Sequence, residues 1–399
     1  MDTVPTAAST DPKIETVDPS GAMITVTWTD GSKNRFHSVW LRDNCRCEKC
    51  GEPVIGRRTS RLTDFPLDIE PASATAETPQ TLTIVWTGDG HESRYDAGWL
   101  RAHAYDTVEA RKARRYMPVL WDNAFLKTPP TVPSDQVATD RGLYDALRNV
   151  RDYGICFVTG GSSEAGVLEK FATRFGHLQE SNFGRIQDLK IDPTKRGIGN
   201  SFEGLPLHTD EPYRATPSGI LIFHSVQVDP ERGGQSQFLD GFKIATILRG
   251  EDPEGFDALV NNRQSWRRHF EGDVDVSAAF PMIALDEFGD VVGIRFNDRV
   301  ASPLSLPPDQ IEPYYRAYRR LVDLTADPAY IIARRLQPGD IAIFDNSRIL
   351  HGRSAFALQS ERFLQWASVR RGDLYSSLRI LADRMGIDRE DGVMPRGAY

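Results

Sequence analysis

The chain has 399 residues, 40% hydrophobic and 26% charged, with a formal net charge of −8. That length allows one large domain and a smaller one. The acidic balance lacks the basic footprint of a nucleic-acid binder, and no run of 18 uncharged apolar residues marks a membrane span, so neither partner is expected.

Residues 1–20 are polar and carry Asp2, Asp11, Glu15 and Asp18. They form neither an apolar secretory signal nor an arginine-rich transit peptide. A disordered start and a cytoplasmic location are the expectation. From Met23 to Tyr105 the pattern is short strands. Met23–Thr29 is rich in β-formers and runs into Asp30-Gly31, a hairpin signal. Thr81–Trp86 repeats the theme before Gly88-Asp89-Gly90. Each run carries a tryptophan at or next to its end (Trp28 and Trp86), then turn residues, then a Trp-Leu pair (Trp40-Leu41 and Trp99-Leu100). This duplication is too faint to define a repeat architecture. It reads as a β-rich domain over 21–115.

Pro118, Pro129, Pro130 and Pro133 mark a linker region within 106–138, and 116–399 forms the second domain. Helical spacing covers Asp140–Tyr153, Ser163–Phe175 and Asp309–Asp327. Strand-like runs cover Gly219–Val228, Gln235–Leu239, Val291–Phe296, Ile341–Phe344 and Phe363–Val369. Many short strands with a few covering helices suggest a sandwich or barrel. No glycine-rich loop follows a strand and opens a helix, so a dinucleotide or P-loop site is not expected.

Leu207-His208-Thr209-Asp210 holds a His-x-Asp pair. Residues i and i+2 of an extended strand share a face, so both side chains can aim at one point. A further histidine, His351, lies in Ile349-Leu350-His351-Gly352-Arg353. Two imidazoles and one carboxylate form the facial triad that suits non-heme iron(II) and leaves positions open. Arg362 opens a strand-like run and offers a planar fork for a carboxylate. Ser236 adds a hydroxyl between the two ligand segments.

Of the four cysteines, Cys45, Cys47 and Cys50 cluster as C-x-C-x2-C. Three thiolates and a histidine make a closed tetrahedral zinc site. His37, His91 and His103 are candidates for the fourth ligand, and His91, in the turn after the second strand, is favoured. Cys156, in an apolar run, reads as a buried small hydrophobe.

His208-x-Asp210, His351-Gly352-Arg353 and Arg362 together resemble the taurine dioxygenase-like group of 2-oxoglutarate oxygenases. Trp40-Leu41-Arg42-Asp43-Asn44-Cys45 resembles the N-terminal domain of γ-butyrobetaine and trimethyllysine hydroxylases. The resemblance implies a double-stranded β-helix (jelly roll), with α-helices, beside a small zinc-binding domain. It implies iron(II) as cofactor and 2-oxoglutarate as cosubstrate, held by Arg362 with Ser236 as a helper, dioxygen as oxidant, a structural zinc, and a homodimer. The implied reaction hydroxylates an unactivated C–H bond of a small amine-bearing zwitterion and releases succinate and CO2. Desaturation or ring closure of an amino acid, and a non-catalytic 2-oxoglutarate sensor, are the alternatives.

The resemblance departs at the substrate. Two cage aromatics of butyrobetaine hydroxylases correspond here to Glu211 and Ser368. A carboxylate at Glu211 suits a primary or secondary amine. Asn297 matches a substrate-contacting asparagine, and Asn200 and Phe183 are expected near the substrate, with Phe202 and Tyr213 as further aromatics. Arg295 or Arg299 meets an anionic substrate group or lies on the surface.

Overall fold

The computed structural model describes residues 12–52, 56–113, 117–181, 184–190, 203–228, 233–270, 274–355 and 361–387. The chain divides into two compact units, Met1–Arg115 and Tyr116–Tyr399.

The first unit runs β1 (Ile14–Ser20), β2 (Met23–Trp28), β3 (Lys33–His37), α1 (Ser38–Asp43), β4 (Gly51–Glu52), β5 (Arg57–Arg58), β6 (Pro71–Thr78), β7 (Thr81–Trp86), β8 (Glu92–Asp96), α2 (Ala97–Ala102) and α3 (Val108–Ala113). Strands β1-β2-β3 and β6-β7-β8 form two antiparallel meanders, each leading directly into a short helix. The duplication that is faint in sequence is plain in structure. In both copies the middle strand buries every second residue and ends on a buried tryptophan. Trp28 Nε1 donates to Asn34 and Trp86 Nε1 to Ser93, both at 2.8 Å. The copies also exchange charges. Arg42 on α1 pairs with Asp89 at 3.5 Å, and Arg101 on α2 pairs with Asp30 at 3.0 Å. Trp40 and Trp99 stack with centroids 5.5 Å apart. Ring contact of this kind adds about 0.5–1.5 kcal/mol beyond area burial.

The second unit runs β9 (Thr131–Pro133), α4 (Ser134–Val137), α5 (Asp140–Tyr153), β10 (Ile155–Thr159), α6 (Val167–Ala172), β11 (Gln187–Leu189), β12 (Leu205–His208), β13 (Ile220–Gln227), β14 (Ser236–Asp240), α7 (Gly241–Glu251), α8 (Pro253–Asn261), β15 (Gln264–Phe270), β16 (Val274–Phe280), β17 (Ile283–Leu285), β18 (Val291–Ile294), α9 (Pro308–Ala326), β19 (Ile332–Arg334), β20 (Ile341–Asp345), β21 (Ile349–Arg353), β22 (Phe363–Val369) and α10 (Arg371–Met385). Six strands pair in the order β11-β22-β13-β20-β10-β9 and four in the order β12-β21-β14-β19.

Period-two alternation sorts the strand residues into layers. Phe157, Leu221, Phe223, Ala342 and Phe344 of the larger sheet meet Phe238, Ile332 and Ile349 of the smaller one in a shared core. The alternate residues Cys156, Val158, Ile220, Ile222, Ile341 and Ile343 face α5, α6 and α10. Leu239 and Leu350 of the smaller sheet pack under α7, α8 and α9. Because Ile349 faces the shared core and Leu350 faces away, His351 faces inward again. That parity puts the His351 imidazole between the sheets.

The predicted helix over Ser163–Phe175 forms only over Val167–Ala172, because Gly166 precedes it with φ +85°. Its left-handed backbone ends any helix coming from the N-terminal side. The proline-rich segment contributes β9, which pairs parallel to β10 at the edge of the larger sheet, the place where proline's missing donor is tolerated.

Candidate metal centres and substrate cavity

Antiparallel pairing of β12 with β21 sets His208 directly opposite His351. Their ring centroids are 4.5 Å apart. Asp210 lies two residues beyond the end of β12, and its backbone is held there by Asn346. The Asn346 side chain accepts from Asp210 N–H at 2.7 Å and donates to the Asp210 and Ser218 carbonyls at 3.0 and 2.9 Å. Glu211 follows with φ +54°, the left-handed region that non-glycine residues rarely adopt. Its buried carboxylate accepts from Arg214 Nε at 2.7 Å and Ser218 Oγ at 2.8 Å.

His208, Asp210 and His351 each offer a ligand atom, all within 4.8 Å of one another. His208 Nε2 is 3.2 Å from one Asp210 oxygen and His351 Nε2 is 3.5 Å from the other. Two donors about 2.1 Å from one ion at right angles stand about 3.0 Å apart, so this spacing fits an octahedral face. His208 Nδ1 donates to the Pro206 carbonyl at 2.9 Å, which leaves the Nε2 lone pair for a metal. Burial opposes charge on Asp210, but the adjacent His351 and His208 rings outweigh it and hold the carboxyl well below its ordinary range. Burial, reinforced by His351, lowers His208. The carboxylate is thus ionised and the imidazole neutral, the forms a metal requires.

The three residues sit in the wall of a cavity of about 180 Å³. Ser236 and Arg362, the expected 2-oxoglutarate pair, line the same cavity, as do Glu211, Asn297 and Arg299. Burial, with Arg353 beside it, pushes the Arg362 guanidinium down to about 10. Tyr213 lines the cavity too. Ser368 and Arg295 are not among its lining residues. Arg295 donates to the Arg214 and Ala215 carbonyls at 2.9 and 3.1 Å and covers the Phe280 ring at 3.8 Å. Phe183, Asn200 and Phe202 lie outside the described residues.

Sequence reasoning missed Arg268, Arg353 and Trp366 as lining residues. Arg353 was legible in principle: it stands two residues after His351 on the same strand and so shares its face. Arg268 carries no such signal, because β15 belongs to a separate hairpin with β16. Asn346 was visible only as part of a motif, without its role.

In the first unit Cys45, Cys47, Cys50 and His91 form a second cluster. The three sulfurs stand 3.4, 3.6 and 3.5 Å from His91 Nε2. Tetrahedral zinc with ordinary Zn–S and Zn–N bonds sets sulfur and nitrogen about 3.5 Å apart. The other two candidates are engaged elsewhere. His37 Nδ1 contacts Tyr105 Oη at 2.9 Å, and His103 Nδ1 contacts the Trp99 carbonyl at 2.7 Å.

Residues 131–367 match the family model of the taurine catabolism dioxygenases TauD and TfdA. The chain belongs to the TauD, TfdA family. Residues 16–101 match the N-terminal domain of the γ-butyrobetaine hydroxylase-like proteins. A γ-butyrobetaine dioxygenase of Pseudomonas sp. (strain AK-1) is 36% identical over 90% of this chain and 93% of its own. The Homo sapiens γ-butyrobetaine dioxygenase is 28% identical over 95% and 99%. A trimethyllysine dioxygenase of Meyerozyma guilliermondii is 27% identical over 93% and 96%. Among solved structures, asparagine oxygenase in complex with Fe(II), 3-hydroxyasparagine and succinate superposes with a TM-score of 0.48 at 18% identity, over 68% of this chain and 88% of that one. That likeness is too slight to bear on substrate.

As a member of the TauD, TfdA family the protein is an iron(II)- and 2-oxoglutarate-dependent dioxygenase, and the geometry of its His-Asp-His site fits that metal. The Cys3His cluster is compatible with zinc. Among the described residues no helix is long and apolar enough to cross a membrane.

Proposed function

We propose that this dioxygenase hydroxylates an unactivated C–H bond of a small amine-bearing zwitterion, betaine-like or amino-acid-like. The observation that carries the proposal is the convergence of His208, Asp210 and His351 on one wall of a cavity that Arg362 and Ser236 also line. In the overall reaction substrate, O2 and 2-oxoglutarate give hydroxylated product, succinate and CO2. Iron, when bound, supplies the activation of dioxygen.

His208, Asp210 and His351 hold the iron. Arg362 pairs with the distal carboxylate of 2-oxoglutarate, and the Ser236 hydroxyl donates to it. Both side chains are buried, so the ion pair forms away from competing water. Asn297 contacts the substrate, and Glu211 faces its amine, sharing the carboxylate with Arg214 and Ser218. The relatives named for trimethylammonium substrates favour the zwitterion class, while Glu211 favours an amine that can donate hydrogen bonds.

The two sheets form a double-stranded β-helix. Its support is the strand order: β11, β13, β20 and β22 neighbour one another in one sheet, and β12, β14, β19 and β21 in the other. The chain therefore passes back and forth between two four-strand layers. The N-terminal unit serves as a structural zinc domain. The likeness of both units to the hydroxylases supports a homodimer, and three clustered thiols suit a reducing cytoplasm.

The test is an amine and amino-acid panel with iron(II), 2-oxoglutarate and air, scored by succinate and product mass. A gain of one oxygen supports hydroxylation, and a loss of two hydrogens supports desaturation or cyclisation. No succinate across the panel leaves a non-catalytic 2-oxoglutarate sensor. Unchanged turnover of an amine by Glu211→Gln removes Glu211 from substrate recognition.

A further inference from the structure

We infer that Phe223 is the positioning residue of the His351 imidazole, holding by ring packing what His208 holds by a hydrogen bond. This rests on the assignment of His351 to the iron, and it gives a role to a side chain that neither ligates the metal nor carries charge.

The two imidazoles stand opposite each other in the strand register, yet their second nitrogens are treated differently. His208 Nδ1 donates to the Pro206 carbonyl at 2.9 Å, two residues back in its own strand. His351 Nδ1 is buried and has no hydrogen-bond partner among the described residues. A metal-bound histidine almost always spends its second nitrogen on a carbonyl, a carboxylate or water, and that contact fixes the ring plane. The torsion that turns an imidazole about Cβ–Cγ is soft and broad, so a ring without the contact needs another restraint.

For His351 the restraint is aromatic. Its strand, β21, belongs to the smaller sheet, and two rings of the larger sheet meet it across the gap. Phe223 on β13 stands 5.4 Å away, centroid to centroid, with the ring planes 84° apart. Phe344 on β20 stands 5.0 Å away at 51°. Phe223 and Phe344 meet each other at 5.1 Å and 84°, so each braces the other. Tilted and edge-to-face contacts at such distances are favoured between rings, and they oppose the turning of either ring. The two phenylalanines are not equivalent. Phe344 is fully buried and continues through Phe238 to Phe157, with contacts at 5.4 and 5.5 Å, into the shared core. Phe223 lines the cavity together with His208, Asp210 and His351. It is therefore the brace whose loss gives the imidazole open space to turn into. His351 depends on the spacing of the two sheets, whereas His208 depends on its own strand.

The experiment titrates iron(II) into the full chain under nitrogen and reads the melting temperature of the same samples. Phe223→Leu is expected to bind iron(II) about tenfold more weakly, the usual loss when support is removed from a metal ligand. Phe157→Leu is the control, because it removes a ring of the same core three ring contacts from His351. It lowers the melting temperature and leaves iron affinity within about twofold of wild type. His351→Ala makes the test specific. Phe223 acts through His351, so adding Phe223→Leu to His351→Ala costs no further iron affinity, whereas a general loosening of the fold would add its own loss. Phe223→Met, an apolar side chain without a ring, takes the place of the leucine variant if that one does not fold. Wild-type iron affinity in the Phe223 variant, an equal loss in Phe157→Leu, or a full additional loss in the double variant overturns the inference. Wild-type affinity in His351→Ala counts against the iron assignment itself. A loss there with none in Phe223→Leu counts against this inference alone.

Discussion

Asn346→Ala separates the scaffold of the iron site from its ligands. Asn346 is 2% exposed and makes three hydrogen bonds: from Asp210 N–H, and to the Asp210 and Ser218 carbonyls, at 2.7, 3.0 and 2.9 Å. A typical intramolecular hydrogen bond contributes about 1 kcal/mol net, and a buried group left unsatisfied costs about 1–3 kcal/mol. Water entering the vacated space would satisfy some of the three groups. The expected loss is therefore about 2–4 kcal/mol, or roughly 4–15 °C in the melting temperature of a unit this size. Calorimetry of the metal-free protein reads that loss without involving iron. Titration with iron(II) reads the second consequence: Asp210 is no longer fixed at its backbone, and affinity falls at least tenfold. Asn346→Asp sharpens the test. It keeps the acceptor for Asp210 N–H but removes both donations and sets a carboxylate against two carbonyl oxygens. It is expected to melt no higher than the alanine variant. A wild-type melting temperature in either variant, or unchanged iron affinity in both, would refute the reasoning.

Three further outcomes are expected. Arg362→Gln removes a buried charge-assisted contact of about 2–4 kcal/mol, so the KM for 2-oxoglutarate rises roughly 30- to 1000-fold in a succinate-release assay. The protein as purified carries about one zinc per chain by elemental analysis, and Cys47→Ser lowers that content and the melting temperature, whereas Cys156→Ala leaves zinc in place. His224 supplies a pH dependence. It is fully buried, donates Nε2–H to the Ser162 carbonyl at 2.9 Å, and has no partner for Nδ1 among the described residues. Burial lowers its pKa below the usual 6.5, against the raising effect of the Ser162 contact. The unfolded chain then binds the extra proton first as pH falls. The His224 contribution is complete above about pH 6.5 and is lost below it, by up to about 1.4 kcal/mol per pH unit, until the folded-state pKa is passed. His224→Gln keeps an amide donor in place of Nε2–H and flattens that slope in denaturant titrations between pH 7 and 5.

Sequence periodicity located the elements whose pattern is strong. Asp140–Tyr153 and Phe363–Val369 form as expected, and Asp309–Asp327 forms as Pro308–Ala326. Helices α7, α8 and α10 were not anticipated. Two of them, α7 and α8, are divided by Asp252, which ends one and caps the next, so neither shows a long apolar stripe. The two candidate ligand clusters are legible because their chemistry is local: His208 and Asp210 share a short window, and three cysteines share six residues. What brings His351 opposite His208 is strand register, and what brings Arg268 to Arg299 is pairing between a hairpin and a turn. Neither is written in spacing. Glu211 shows the same limit. Its residue type suggested an amine contact, but only the fold reveals that Arg214 and Ser218 already hold the carboxylate and that its backbone is left-handed.

The two meander-plus-helix copies amount to a dimer written in one chain. Arg42 reaching Asp89 and Arg101 reaching Asp30 are the same handshake made twice, across an axis marked by Trp40 on Trp99. The symmetry fails at one place. Ser32 occupies in the first turn the position His91 occupies in the second, and Ala104, Asp106 and Glu109 follow α2 where Cys45, Cys47 and Cys50 follow α1. One half closes on thiolates; in the other Asp106 accepts hydrogen bonds from Asn34 and from the Arg35 N–H, both at 2.9 Å. A Cys3His cluster compatible with zinc and a hydrogen-bonded carboxylate thus stand at two related corners. The carboxylate corner is a natural place to install a further thiolate cluster, and the thiolate corner a natural place to substitute hydrogen bonds.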